Sequence, residues 1–223
     1  MMEDKLYMFD GIVCICTTQE ESRWKKNCVP QFKNFGCLDR VIRFYGDLPE
    51  DKTHLNGCSF AHYNVLKMCK EKGFKMPLIL ESDFYFRLGD VTKKHIHGIY
   101  DEALLLNSIK MLTNVDWKLF FLGGHIKKCD KNAWPNILKV SCELTHAYSV
   151  NYKYYDDIIG TLEKSLHITP DLIYSRKKYG KLYDYCYMTP CIMVIQKWWK
   201  KEKWRTHLMW RTFRNSLGYE HLV

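Results

Sequence analysis

Glu81 and Asp83 stand one residue apart, with Ser82 between them, directly after the apolar run Leu78-Ile79-Leu80. Two carboxylates at the end of a buried strand are costly unless something positive meets them. Hard oxygen ligands of this kind suit Mg²⁺ or Mn²⁺, with substrate phosphates completing the coordination. A pair of solvated acids in a turn is the other reading, since acidic turns are common. His95-x-His97 would make a second pair of ligands only on a strand and with a third partner. Ten cysteines are scattered without a CxxC pair, which argues against a zinc framework and for reduced, mostly buried thiols.

The elements that must carry these residues follow from periodicity. Gly11–Cys16 and Val41–Tyr45 are short β-branched strand candidates, and Pro77–Leu80 is a third. Between them, Glu20–Phe35 reads as a helix limited by Pro30, and Cys58–Lys72 as a helix opened by Leu55-Asn56-Gly57 and ended by Gly73. Strand, helix, strand, helix, strand argues for βαβ units, and ligands in such sheets sit beyond the carboxyl ends of the strands. Further on, Phe84–Tyr100 reads as an exposed loop, Asp101–Met111 as a helix with Asp101 near its start, and Trp117–Leu122 as a strand. Gly123-Gly124 would let the backbone turn tightly and approach a ligand. Lys127–Pro135 reads as a loop, Ile137–Cys142 and His146–Val150 as strands, and Tyr152–Leu166 as a helix. Tyr183–Ile195, with Pro190 inside it, reads as an edge strand or an extended segment.

The composition sets the limits. At 223 residues, 47% hydrophobic and 26% charged, the chain is expected to form one packed domain. Its formal net charge of +9 favours anionic partners. The cations are spread along the chain, so nucleic acid is not the expected one. No apolar run approaches the ~20 residues needed to span a bilayer, and the charged first ten residues lack a signal-peptide core. A soluble, cytoplasmic protein with no transmembrane segment is expected. The tail, with Trp198, Trp199, Trp204 and Trp210 among Lys and Arg, reads as a helix laid on the domain. It could also serve as a surface for an oligomer.

Several blocks, in order, resemble family 25 glycosyltransferases, which include lipooligosaccharide and collagen galactosyltransferases. They are Cys14-Ile15-Cys16 followed by Arg23, then Gly57-Cys58-Ser59-Phe60-Ala61-His62, then Leu80-Glu81-Ser82-Asp83. Trp117–Gly123, Ala147-Tyr148-Ser149-Val150-Asn151, Pro170-Asp171 and the segment from Pro190 to Gln196 complete the series. The residue usage is also similar to that of divergent members from giant DNA viruses, which would place the protein in a host cytoplasm. Two departures stand out: Ser82 replaces the family's middle Asp, and Ala61 its Ser before the histidine.

The resemblance implies an α/β fold of the GT-A (Rossmann-like) type over residues 1–196. A mixed, mostly parallel central sheet is expected, with a basic, Trp-rich helical extension over 197–223. It implies transfer of a hexose from a UDP-sugar to a hydroxyl of a glycan or glycoprotein, with inversion and with Mn²⁺ or Mg²⁺ as cofactor. Asp83 and Glu81 would hold the metal. Cys16, Thr17, Arg23, Gly57, Cys58, Glu81 and Ser82 would line the nucleotide. Arg23 would reach base or phosphate, or else be an exposed helix cation. Inversion requires a base; Asp171 is the first candidate, His146 the second and His125 the third, with a core or metal-binding role open for His146. Ser82 also leaves open a catalytically inactive, sugar-binding or scaffolding relative.

Overall fold

The computed structural model describes residues 3–52, 55–86, 100–130, 136–179, 182–190 and 193–196. The His95-x-His97 pair and the basic tail 197–223 lie outside them. The chain begins β1 (Ile12–Cys16), a short helix α1 (Glu21–Arg23), a π turn (Trp24–Cys28) and α2 (Val29–Asn34). It continues β2 (Val41–Tyr45), α3 (Gly57–Glu71), β3 (Leu78–Glu81), β4 (Phe84–Phe86) and α4 (Glu102–Leu112). Then come β5 (Leu119–Phe121), β6 (His125–Cys129), β7 (Leu138–Glu143), β8 (Ala147–Val150), α5 (Tyr155–Glu163), α6 (Pro170–Ser175), β9 (Cys186–Met188) and β10 (Val194–Gln196).

Eight strands form one sheet in the order β2-β1-β3-β8-β5-β9-β7-β6. β8 and β7 run against the other six, so the sheet is mixed with most strands pointing one way. Both faces are covered, which explains the unbroken apolar runs of the central strands. Along β1, Ile12, Cys14 and Cys16 enter one core with Phe32, Phe35 and Leu105, while Val13 and Ile15 enter the other with Val65, Leu66 and Ile158. β3 divides likewise, Leu78 and Leu80 against Ile79. Each fully buried Leu, Ile or Phe contributes about 1.5–3 kcal/mol relative to exposure, so these two layers fix the strand register.

The helix ends are chosen locally. Asn56 caps α3 by accepting the Ser59 amide at 3.0 Å, and Gly73 ends it in the left-handed region at φ 72°. Asp101 caps α4 through the Leu104 amide at 2.9 Å. Pro30 does not stop the helix after β1. The π turn just before it, closed by the Val29 amide onto the Trp24 carbonyl, lets the proline sit at the start of α2, where a missing N–H costs nothing.

Three expectations need correction. Phe84–Phe86 is a strand, not the start of a loop: β4 pairs antiparallel with β10, Val194 opposite Phe86. His125–Cys129 is also a strand, so the loop expected from Lys127 begins later; β7 supplies the partner that its polar sequence did not announce. Tyr183–Ile195 is not one edge strand. Pro190 separates β9 from β10, and β9 lies inside the sheet between β5 and β7. Among the described residues no helix is long and apolar enough to cross a membrane.

Candidate active site

β1, β2 and β3 are parallel neighbours, so Cys16, Tyr45 and Glu81 come out at one edge. β8 runs the other way, which brings its entry, Thr145-His146, to the same edge; the Glu81 amide donates to the His146 carbonyl at 3.1 Å. The turn from β3 into β4 is gripped from the π turn and α2. Asn27 Nδ2 donates to the Ser82 and Phe84 carbonyls at 3.1 and 3.0 Å, and the Cys28 thiol to the Ser82 carbonyl at 3.2 Å. Gln31 donates to the Phe84 carbonyl at 3.0 Å and accepts the Phe86 amide at 2.7 Å. π turns recur at functional sites, and this one holds the acidic tip rigid.

Ser82 points back rather than out. Its hydroxyl donates to Glu20 Oε2 at 2.9 Å and accepts from Arg23 Nη1 at 3.1 Å, and Arg23 also pairs with Glu20. Glu20 Oε2 takes the Thr17 amide as well, at 2.9 Å. An acidic residue at position 82 would confront the Glu20 carboxylate, so the serine is matched to its neighbour.

The two acids of the tip differ in state. Glu81 Oε1 accepts the Thr145 hydroxyl at 2.7 Å and lies 3.3 Å from His62 Nε2, whose other nitrogen meets the Tyr148 hydroxyl at 2.8 Å. Burial alone would raise the Glu81 carboxyl; the His62 hydrogen bond and charge and the Thr145 hydroxyl outweigh it and hold the group below its ordinary value. Asp83 has weaker help, from the Arg23 charge and a backbone amide. Its Oδ1 is buried without a hydrogen-bond partner, and burial, then repulsion from Glu81, push the carboxyl up to about 6, with Arg23 opposing. Environments that drive two carboxyls apart mark a site suited to chemistry.

The remaining candidates gather with unequal access. Gly57 and Cys58 open α3, and burial followed by the charges of Glu81, Asp171 and Asp83 pushes the Cys58 thiol up, so α3, β3 and α6 present one acidic neighbourhood. Asp171 stands in the first turn of α6 behind Pro170, its Oδ1 accepting the Leu172 amide at 2.9 Å. His146 is 2% exposed, and its Nε2–H donates to the Val194 carbonyl at 3.1 Å. Burial first, despite that bond, lowers its affinity for a proton. This is core geometry, opposed to a base that meets solvent-borne substrate. Cys16 is likewise a core residue: its side chain is buried and its carbonyl accepts the Gly46 amide at 2.7 Å. His125 lies on β6, 3.7 Å from Glu143.

Gly123 and Gly124 serve packing. A Cβ on Gly123 would collide with the Val194 carbonyl oxygen and lie 3.1 Å from His146 Nε2, and one on Gly124 would strike the Cys142 sulfur. The expected close approach is made by the protein's own backbone. Sequence reasoning missed Glu20, Asn27, Gln31, His62 and Thr145 as parts of the site. Only His62 carried a readable signal, standing four residues after Cys58 and so on the same helix face.

No protein-family model matches the chain, and no curated protein matches it. Among solved structures it is similar to a glycosyltransferase involved in the glycosylation of the major capsid of PBCV-1, at 10% identity and TM-score 0.43, covering 81% of this chain and 93% of that one. It is also similar to mannose-1-phosphate geranyltransferase from Thermus thermophilus, at 8% identity and TM-score 0.41, covering 79% of this chain and 58% of that one. Both likenesses concern coarse shape and assign no activity to this chain.

Proposed function

We propose that the protein is a glycosyltransferase that moves a hexose from a UDP-sugar to a hydroxyl of a glycan or glycoprotein, with inversion and with Mn²⁺ or Mg²⁺ at the acidic tip. The observation that carries the reading is Asp83: a carboxylate at the carboxyl edge of a mostly parallel sheet, with a buried oxygen left without a partner beside a second carboxylate. Glu20, Glu81, Asp83 and Asp171 make this edge acidic, and an anionic diphosphate needs a cation to approach it. The donor set fits such an ion: Asp83 offers the unpartnered oxygen, and Glu81 is kept ionised next to it. The bound ion would neutralise charge on the departing diphosphate as a Lewis acid.

The chain's own residues do the rest. Thr145 and His62 hold Glu81, so that its carboxylate cannot swing toward Asp83 as the proton on Asp83 leaves. Glu20 fixes Arg23 at the rim, where the guanidinium can meet a phosphate or the base. Gly57 leaves room at the start of α3, since its nearest neighbour for a Cβ is the Leu48 Cβ at 3.8 Å. Asp171, half-buried and facing the same acidic neighbourhood, is the base that takes the acceptor hydroxyl proton. His146 supports the edge from within by anchoring β10. A catalytically inactive sugar-binding relative is the second reading, favoured by the serine at position 82.

The test is transfer and hydrolysis from a panel of UDP-sugars, with and without Mn²⁺. At least one donor is expected to turn over with the metal. Asp171→Asn should lower kcat by about 10²–10⁴-fold with donor affinity kept. Binding of UDP-sugars without turnover of any would select the inactive relative, and weakened donor binding at unchanged kcat in Asp171→Asn would remove the base assignment.

A further inference from the structure

Cys58, His62 and Glu81 form a cluster that the transferase reading leaves unused as a unit. One ligand atom from each lies within 4.8 Å of the other two. Cys58 and His62 are four residues apart on α3, so both project from one helix face, and Glu81 meets them from the end of β3. The edge between His62 Nε2 and Glu81 Oε1 is 3.3 Å. Two ligands bound at about 2.0–2.1 Å in a tetrahedron stand about 3.3 Å apart, so the pair already has the spacing of a coordinated edge. The supporting contacts suit ligands as well. The Tyr148 hydroxyl at 2.8 Å can take a hydrogen carried on His62 Nδ1, freeing Nε2, and the Thr145 hydroxyl orients Glu81. Cys58 is exposed as a residue while its thiol is set in buried surroundings within the field of the Glu81, Asp171 and Asp83 charges, and three protein ligands would leave a fourth position for water.

We propose that this cluster is a binding site for a thiophilic divalent cation of the Zn²⁺ class, which shares Glu81 with the hard-ion site at Asp83 and differs from it in offering a sulfur and an imidazole. A sulfur and an imidazole select against Mg²⁺ and Mn²⁺ and for Zn²⁺. On binding, the Cys58 S–H bond breaks, its proton goes to solvent and the thiolate bonds the metal. The ion would tie the start of α3 to the end of β3. The proposal stands whether or not the protein is a transferase.

Titration of the full, reduced chain with Co²⁺, followed by absorption, tests it. A thiolate-to-cobalt charge-transfer band with the strong visible bands of four-coordinate cobalt is expected, displaced by Zn²⁺. Cys58→Ser, a change at an exposed position, should abolish the charge-transfer band. Tyr148→Phe should keep it and weaken affinity about 10–100-fold. Asp83→Asn should leave it in place, which separates this site from the one in the transferase reading. An unchanged band in Cys58→Ser, or only the weak spectrum of six-coordinate oxygen-bound cobalt in the native chain, would overturn the assignment.

Discussion

At the scale of single residues, Asp83 is the most exacting, because its environment opposes the charge its proposed role demands. Its carboxyl is raised from the ordinary 3.8 to about 6, first by burial and next by Glu81. A folded-state value above the unfolded one means that the folded chain holds the proton more tightly. The stability this contributes is complete below about pH 4 and is lost as pH rises through about 6. At about 1.36 kcal/mol per unit the loss is on the order of 3 kcal/mol. Asp83→Asn cannot ionise, so it should lack this fall, and its unfolding free energy should rise relative to that of the native chain between about pH 4 and 7. If Asp83 holds the metal as proposed, Mn²⁺ should restore the native chain above about pH 6 while leaving the variant unmoved. Parallel curves for the two proteins in denaturant titrations across that range would mean that Asp83 is solvated and the buried acidic tip is not real.

At the scale of elements, the spacing of apolar residues was enough to read β1, β2, α3, β3, α4 and β5 nearly to their ends, because each is either a short, mostly apolar run bounded by polar residues or a periodic segment with its own cap. The failures share a cause. β4, β6 and β9 owe their state to the strands they pair with, the next one along the chain for β6 and distant ones for the other two; Val194–Gln196, the partner of β4, is over a hundred residues away. The site was legible in its acids, which follow a strand, and illegible in the side chains that hold them, since Asn27, Gln31 and Thr145 are ordinary polar residues until the fold brings them in. Glycines show the same division. Gly57 sits at the start of α3 in open space, so Gly57→Ala should stabilise the fold by about 0.4–1 kcal/mol through the unfolded chain. Gly123→Ala drives a Cβ into the backbone of β10, which cannot yield as a side chain can, and should cost about 1–3 kcal/mol or more. Thermal unfolding of the two variants side by side checks the contrast. A Gly57→Ala chain that is stable yet has lost donor affinity would indicate that a ligand comes close to that amide.

At the scale of the whole molecule, the excess of positive charge and the acidity of the edge pull in opposite directions. The edge around Asp83 collects Glu20, Glu81 and Asp171, yet the chain carries +9. Much of that excess is in the tail: residues 197–223 hold seven Lys and Arg against two Glu, and without them the net charge is +4. Basic charge on a chain can raise the local concentration of an anionic ligand, and the effect fades as the screening length shortens to about 8 Å at physiological salt. The described fold closes with β10 on β4, so a chain ending at Gln196 retains every pairing of both sheets. Such a chain should unfold cooperatively with a midpoint shifted by less than about 2–4 °C, the displacement that 1 kcal/mol produces at this size. Its affinity for a UDP-sugar should depend less steeply on salt than that of the full chain. If removal of 197–223 instead lowers the midpoint by about ten degrees or more, several times that displacement, the Trp-rich segment is part of the domain's packing. If the salt dependence survives truncation intact, the attraction comes from cations within the domain, and Arg23 at the rim is the first to substitute.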